Sequence, residues 1–153
     1  MRVALFYHSL VSDWNHGNAH FLRGVVSELL ARGHEVRVWE PRDGWSRENL
    51  VAEHGTTPLK EFQRAFPHLR SELYDLDTLD VGYAVDRADL VLVHEWNDPA
   101  LVRRLGAARR RRGFRLLFHD THHRSATKPR EMARYDLRHY DGVLAYGEVL
   151  RQI

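Results

Sequence analysis

The chain has 153 residues, 43% of them apolar and 29% charged, with a formal net charge of +2 and no cysteine. That is the composition of one soluble globular domain with a real core, and it excludes a disulfide framework and a thiolate metal site. No apolar stretch approaches the ~20 residues of a membrane span, and so small a charge gives no electrostatic case for a nucleic-acid partner.

Lys60 and Lys128 are the only lysines, so the basic side chains are nearly all arginine. Met1-Arg2 runs directly into a strand, which leaves no room for a secretory leader and predicts a cytoplasmic chain with at most peripheral membrane contact. Arg109-Arg110-Arg111-Arg112 has no interleaved aromatic platform and reads as a solvated helix end, its cations opposing the negative end of the macrodipole.

In chain order, residues 2–7 predict a strand and 18–32 a helix. Phe21, Leu22, Val25, Val26, Leu29 and Leu30 recur at three and four and mark its buried face. Asn18 has N-cap character and Gly33 that of the residue past the C-cap. Residues 34–39 predict a second strand, with Val36 and Val38 alternating with charges. A loop and short helix over 41–55 follow, with Ser46 as cap. Pro58 then opens a helix that Pro67 stops. A weak third strand is expected over 72–76, then helix to residue 87, then an unambiguous strand over 89–93. Asp98-Pro99 starts the next helix and Gly113 closes it. A strand over 115–118, a helix over 129–139 and a strand over 142–146 complete the pattern. The helix that begins at Glu148 is left uncapped in its second turn, from which the chain is expected to be one half of a longer protein.

Strands alternating with helices make βαβ units with right-handed crossovers. The expected fold is an α/β, three-layer Rossmann-like domain with a mainly parallel sheet of about six strands.

Three of the apolar strands end in polar residues: Tyr7-His8, His94-Glu95-Trp96 and His119-Asp120. In an open parallel sheet ligands bind at the carboxyl ends of the strands, so these ends define one cleft. The loop from His8 to Asn18, with His16 and Gly17, feeds a helix N-terminus, where N–H groups and the helix dipole favour anions. It carries no G-x-G-x-x-G, which argues against an ordinary dinucleotide site. His20 lies one turn into the helix, divided between ligand contact and packing. Glu95 and Trp96 pair a carboxylate with an aromatic face, as a carbohydrate acceptor requires; the alternative is a packed tryptophan with a capping glutamate. His122 and His123 follow His119, and His-x2-His supplies only two of the three or four ligands of a zinc site, so no metal is expected. Gly44-Trp45 reads as a turn with a packed aromatic.

Leu29 to Val38 resembles the helix–glycine–strand join of the GT-B glycosyltransferases, where it links the first helix to the second strand of the N-terminal domain. Ala88 to His94 resembles the family's fourth strand, Phe118-His119-Asp120 the "HD" after its fifth, and Tyr140 to Tyr146 its final strand. The order and spacing hold over essentially the whole chain and are closest to the retaining group that includes many bacterial sugar transferases. The resemblance implies the N-terminal, acceptor-side half of an enzyme that transfers sugar from a nucleotide-sugar donor to an acceptor across an interdomain cleft. The donor is then a substrate, no further cofactor is implied, and the partner is the protein's own C-terminal nucleotide-binding domain. With the resemblance, His119 and Asp120 are expected to be catalytic, and the reading of the residues themselves expects His8, His16, Gly17, Asn18, His20, Glu95, Trp96, His122 and His123 to line the cleft. The family's E-x7-E element belongs to the second domain; Glu40…Glu48 and Glu53…Glu61 match that spacing upstream of it and read as coincidence. Asp75-Leu76-Asp77 has the form of the metal-binding D-x-D of the other large glycosyltransferase fold, on the wrong scaffold here. Surface meant for a second domain also allows a homodimer. The competing reading is a stand-alone, flavodoxin-like binding or regulatory module. It is not a phosphoacceptor receiver, because His8-Ser9 supplies no acidic cluster at the first strand's end.

Overall fold

The computed structural model describes residues 1–14 and 17–152. Its six strands are β1 (Arg2–Phe6), β2 (Glu35–Pro41), β3 (Glu72–Tyr74), β4 (Leu90–His94), β5 (Arg115–Asp120) and β6 (Gly142–Ala145). Among the helices, α1 (Asn18–Ala31) follows β1, while α2 (Trp45–His54) and α3 (Thr57–Ala65) join β2 to β3. After β3 come α4 (Val81–Ala84), then α5 (Pro99–Arg112) between β4 and β5, α6 (Arg124–Thr127) and α7 (Pro129–Met132) before β6, and α8 (Glu148–Arg151).

All pairings are parallel and the strand order is β3-β2-β1-β4-β5-β6. This is the α/β Rossmann-like sheet expected from the sequence. The order reverses between β1 and β4, so the loops leaving those strands part and open a crevice there.

The alternation of side chains along each strand sorts the core into two layers. Ala4, Phe6, Val91, Val93, Leu116 and Phe118 pack under Leu101, Val102 and Leu105 of α5. Val3, Leu5, Tyr7 and Val38 pack under Leu22 and Val26 of α1, with Phe62 of α3 and Leu69. The same alternation carries Tyr7, Glu40, His94 and His119 onto the α1 side and Asp120 onto the α5 side.

Helix ends follow the chain's capping chemistry. Gly33 adopts φ +77°; its N–H bonds Leu30 O and that of His34 bonds Leu29 O, which satisfies the last carbonyls of α1. Asp98 accepts the N–H of Ala100 at 2.7 Å, and Pro99 takes the first helical position of α5.

Several expected boundaries differ. Gly17, not Asn18, is the N-cap of α1. Ser46 is not a cap but lies inside α2, buried, with its hydroxyl 2.8 Å from that of Ser12. The helix expected up to residue 87 is a single turn, α4, capped by Asp80. The helix expected over 129–139 is only α7; beyond it, Tyr135, Leu137 and Tyr140 pack on the α5 layer from irregular chain. Tertiary burial, not helical periodicity, sets those apolar positions. Among the described residues no helix is long and apolar enough to cross a membrane.

Candidate functional site

The crevice floor is a cluster of rings. Tyr7 stacks on His94 at 5.1 Å between centroids, and His119 lies 5.6 Å from His94 and 5.8 Å from Tyr7. Tyr7 Oη is 2.7 Å from His119 Nδ1. Burial raises the Tyr7 phenol well above its ordinary value, so it keeps its proton. Donated to Nδ1, that proton leaves the His119 ring hydrogen on Nε2. Burial also lowers the His119 imidazole below its usual value, against the opposing charges of Glu95 and Asp120, and favours the neutral ring.

The second group centres on Glu95, which is fully buried. Its Oε1 accepts the Thr121 N–H at 2.8 Å, the Thr121 hydroxyl at 3.0 Å and His122 Nδ1 at 2.8 Å. Arg124 Nη1 stands 3.6 Å from Oε2, which pairs the buried charge. His94 Nδ1 accepts the Trp96 N–H at 3.3 Å, so its proton is on Nε2, 3.0 Å from Thr121 Oγ1. Thr121 therefore receives from His94 and gives to Glu95. The carboxylate at the end of β4 thus holds the loop that leaves β5.

Two hollows open on either side. One is lined by Gly17, Asn18, Phe21, His119, Thr121 and Tyr146. There the N-terminus of a 14-residue helix, the His119 ring and two exposed aromatic walls meet. That combination suits a ligand with an anionic or oxygen-rich end beside an apolar face. The other is lined by His8, Trp45, Tyr74 and Trp96 with Asp43 and Asp98. Trp45 packs against His8 at 4.8 Å, and Arg124 lies over the Trp96 ring at 4.7 Å. Burial, then Asp43 and Asp98, raise the Tyr74 phenol, so both carboxylates bear on this hollow. Aromatic faces beside carboxylates suit a polyhydroxylated ligand.

The loop between β1 and α1 is held rigidly at its described positions. Buried Glu40 accepts the Leu10 N–H at 2.6 Å and the Ser9 hydroxyl at 3.1 Å. Arg23 of α1 donates to Leu10 O and Val11 O at 2.9 and 2.7 Å.

The residues singled out from the sequence separate accordingly. His119, Gly17 and Asn18 share the first hollow, and His8 and Trp96 share the second. His122 touches a lining residue of each, Thr121 through Nδ1 at 2.8 Å and Trp96 edge-to-face at 5.2 Å. Asp120 points to the other side of the sheet, where it accepts the Ser125 hydroxyl and lines a groove with Phe118 and Tyr135. Glu95 lies under the loop, not in a position to bind acceptor hydroxyls. His20 turns outward to Asp13 at 3.0 Å with its side chain 70% exposed, and His123 is exposed at the start of α6. His16 lies outside the described residues.

Tyr7, Phe21, Thr121, Arg124 and Tyr146 belong to the site but carry no motif. Phe21 fits the helical repeat of α1 yet is 50% exposed, because its ring sits 5.5 Å from His119 at the crevice and not over the core. Of these, Tyr7 does carry a sequence signal: it stands at the polar end of the first strand, and the alternation of β1 puts it on the face of His119.

No family model matches the sequence, and no curated protein matches it. Among solved structures the chain is similar to an α-glucosyltransferase in complex with UDP and a 13-mer DNA containing a central A:G mismatch, with 16% identity and a TM-score of 0.58. The match covers 95% of this chain and 37% of that one, so the chain spans little more than a third of the glucosyltransferase's length. The likeness is one of fold.

Proposed function

We propose that this chain is the acceptor-side Rossmann-like domain of a glycosyltransferase that moves a sugar from a nucleotide-sugar to an acceptor, the nucleotide being held mainly by a second domain outside this chain. The observation that carries the reading is the shared fold with a UDP-bound glucosyltransferase, together with a crevice at the sheet's switch point where His119 meets the N-terminus of α1. In this reading the His119 Nε2–H donates to an oxygen of the transferred sugar. The helix terminus faces donor oxygens where charge develops as the glycosidic bond to phosphate breaks. The hollow of Trp45 and Trp96 receives the acceptor, its rings against an apolar sugar face and Asp43 and Asp98 toward hydroxyls.

The test is release of nucleoside diphosphate by the full-length gene product from a panel of UDP- and GDP-sugars, with His119→Ala measured beside it. Turnover by wild type and its loss, on the order of 10² or more, in a folded His119→Ala is the expected result. No turnover of any donor sinks the reading in favour of a binding module.

A further inference from the structure

The hollow of Trp45, Tyr74 and Trp96 has a one-sided set of polar groups. Its acidic side chains, Asp43 and Asp98, can only accept hydrogen bonds while ionised. Asp98 uses Oδ1 to cap α5, on the Ala100 N–H. The lining holds no arginine or lysine, and among the described residues no cation pairs with either carboxylate. Arg42, next to Asp43 in sequence, is taken by Asp75 at 3.1 Å, and Arg104 by the carbonyls of Leu76 and Leu79. The neighbouring donors are also used within the protein. Tyr74 gives its hydroxyl proton to Asn97 Oδ1 at 3.0 Å, and Asn97 Nδ2 gives its two to Phe6 O at 2.8 Å and His94 O at 2.9 Å. What enters must therefore bring donors, and positive charge with them.

The rings narrow the choice of cation. Trp45 is held by His8 at 4.8 Å and Trp14 at 5.6 Å, and Trp96 by Arg124 at 4.7 Å. Trp96 is still 40% exposed, so aromatic surface is offered beside the carboxylates. Ring faces attract a cation within about 6 Å, and an organic ammonium can meet ring and carboxylate together. A hard metal ion asks instead for a shell of oxygen ligands. Among the described residues no group of three histidine, aspartate or glutamate side chains could hold one. The hollow measures about 290 Å³, the scale of the smaller ligand clefts.

Resting on the glycosyltransferase reading, we infer that the acceptor is an amine-bearing polyol, an amino sugar or aminocyclitol, whose ammonium group sits between Asp43 and Asp98 against the aromatic rings. The ammonium takes no part in the bond change. A hydroxyl elsewhere on the acceptor bonds to the anomeric carbon, the bond from that carbon to phosphate oxygen breaks, and the hydroxyl proton leaves with the nucleoside diphosphate. Asp43 and Asp98 thus select the acceptor by charge, while its remaining hydroxyls meet the rim of the hollow.

Glucosamine and 2-deoxystreptamine serve as amine probes, with glucose and myo-inositol as their uncharged counterparts. Tryptophan fluorescence of the full-length protein is titrated with each at pH 6.5, and release of nucleoside diphosphate from UDP- and GDP-sugars is measured on the same preparation. We expect each amine to bind on the order of 10-fold more tightly than its counterpart. Asp43→Asn and Asp98→Asn should each weaken amine binding on the order of 10-fold and leave the uncharged probes unchanged. Asparagine caps a helix as well as aspartate, so Asp98→Asn keeps the start of α5, which circular dichroism checks. Equal binding of amine and counterpart by wild type, or wild-type amine binding in both folded variants, overturns the inference; donor turnover beside that result leaves the glycosyltransferase reading standing. Tighter amine binding by a protein that turns over no donor keeps the ammonium site and overturns its role as an acceptor site.

Discussion

Tyr7 Oη and His119 Nδ1 meet at 2.7 Å although 112 residues separate them along the chain. β4 lies between their strands, and its His94 packs against both rings. Three strand ends brought side by side by parallel pairing thereby fix the tautomer of one imidazole.

Removing that phenol tests the tautomer directly. In Tyr7→Phe, His119 Nδ1 loses its hydrogen-bond donor inside the protein. We expect ¹⁵N NMR of the ring to change from one Nε2–H tautomer to a mixture, with a stability loss of about 1 kcal/mol. An unchanged tautomer in Tyr7→Phe would show that the phenol does not set it.

The lowered imidazole of His119 has a consequence for pH. Burial, opposed by Glu95 and Asp120, holds the folded ring below its ordinary value of 6.5. The unfolded chain then binds more protons at that site as pH falls through 6.5, so the site's contribution to stability declines with acidification. Wild type should therefore lose stability relative to His119→Gln between about pH 7.5 and pH 5. Urea denaturation of both proteins across that range measures it, and a gap independent of pH contradicts it.

Glu40 is fully buried and ties the loop after β1 to β2. Burial raises its carboxyl, against hydrogen bonds from Leu10, Ser71 and Ser9. Glu40→Ala leaves the Leu10 N–H without its acceptor. The expected cost is about 1–3 kcal/mol, with faster amide exchange at Leu10. Unchanged exchange at Leu10 in Glu40→Ala would show that the loop does not depend on Glu40, the bonds from Arg23 and between Ser12 and Ser46 sufficing to hold it.

Leu105 of α5 is completely enclosed between the helix and the sheet. Leu105→Ala should cost about 2–5 kcal/mol, the transfer loss plus the cavity that the packed strands cannot close. A loss well under 1 kcal/mol by chemical denaturation would mean that this layer relaxes freely.

The architecture was legible because burial on both faces writes apolar runs into β1, β4 and β5, and because Gly33, Asp98-Pro99 and Gly113 mark helix ends with local chemistry. Those signals act over a few residues, so the chain order declares them. The segment from 133 to 141 was not legible as irregular structure. Tyr135, Leu137 and Tyr140 are placed by contact with Phe118 and the α5 layer, which no local pattern records.

The sequence by itself determined where the cleft lies, since the polar ends of parallel strands can open only at one edge of the sheet. Only the tertiary structure decided which of those residues face one another. His119 and Asp120 are adjacent in sequence yet lie on opposite faces of β5, as strand alternation requires. Tyr7, distant in sequence, reaches His119, and Glu95, which reads as a ligand-binding carboxylate, is spent on Thr121 and His122. Strand pairing and register set those neighbours, and both arise from packing over the whole sheet, which no local run of residues records.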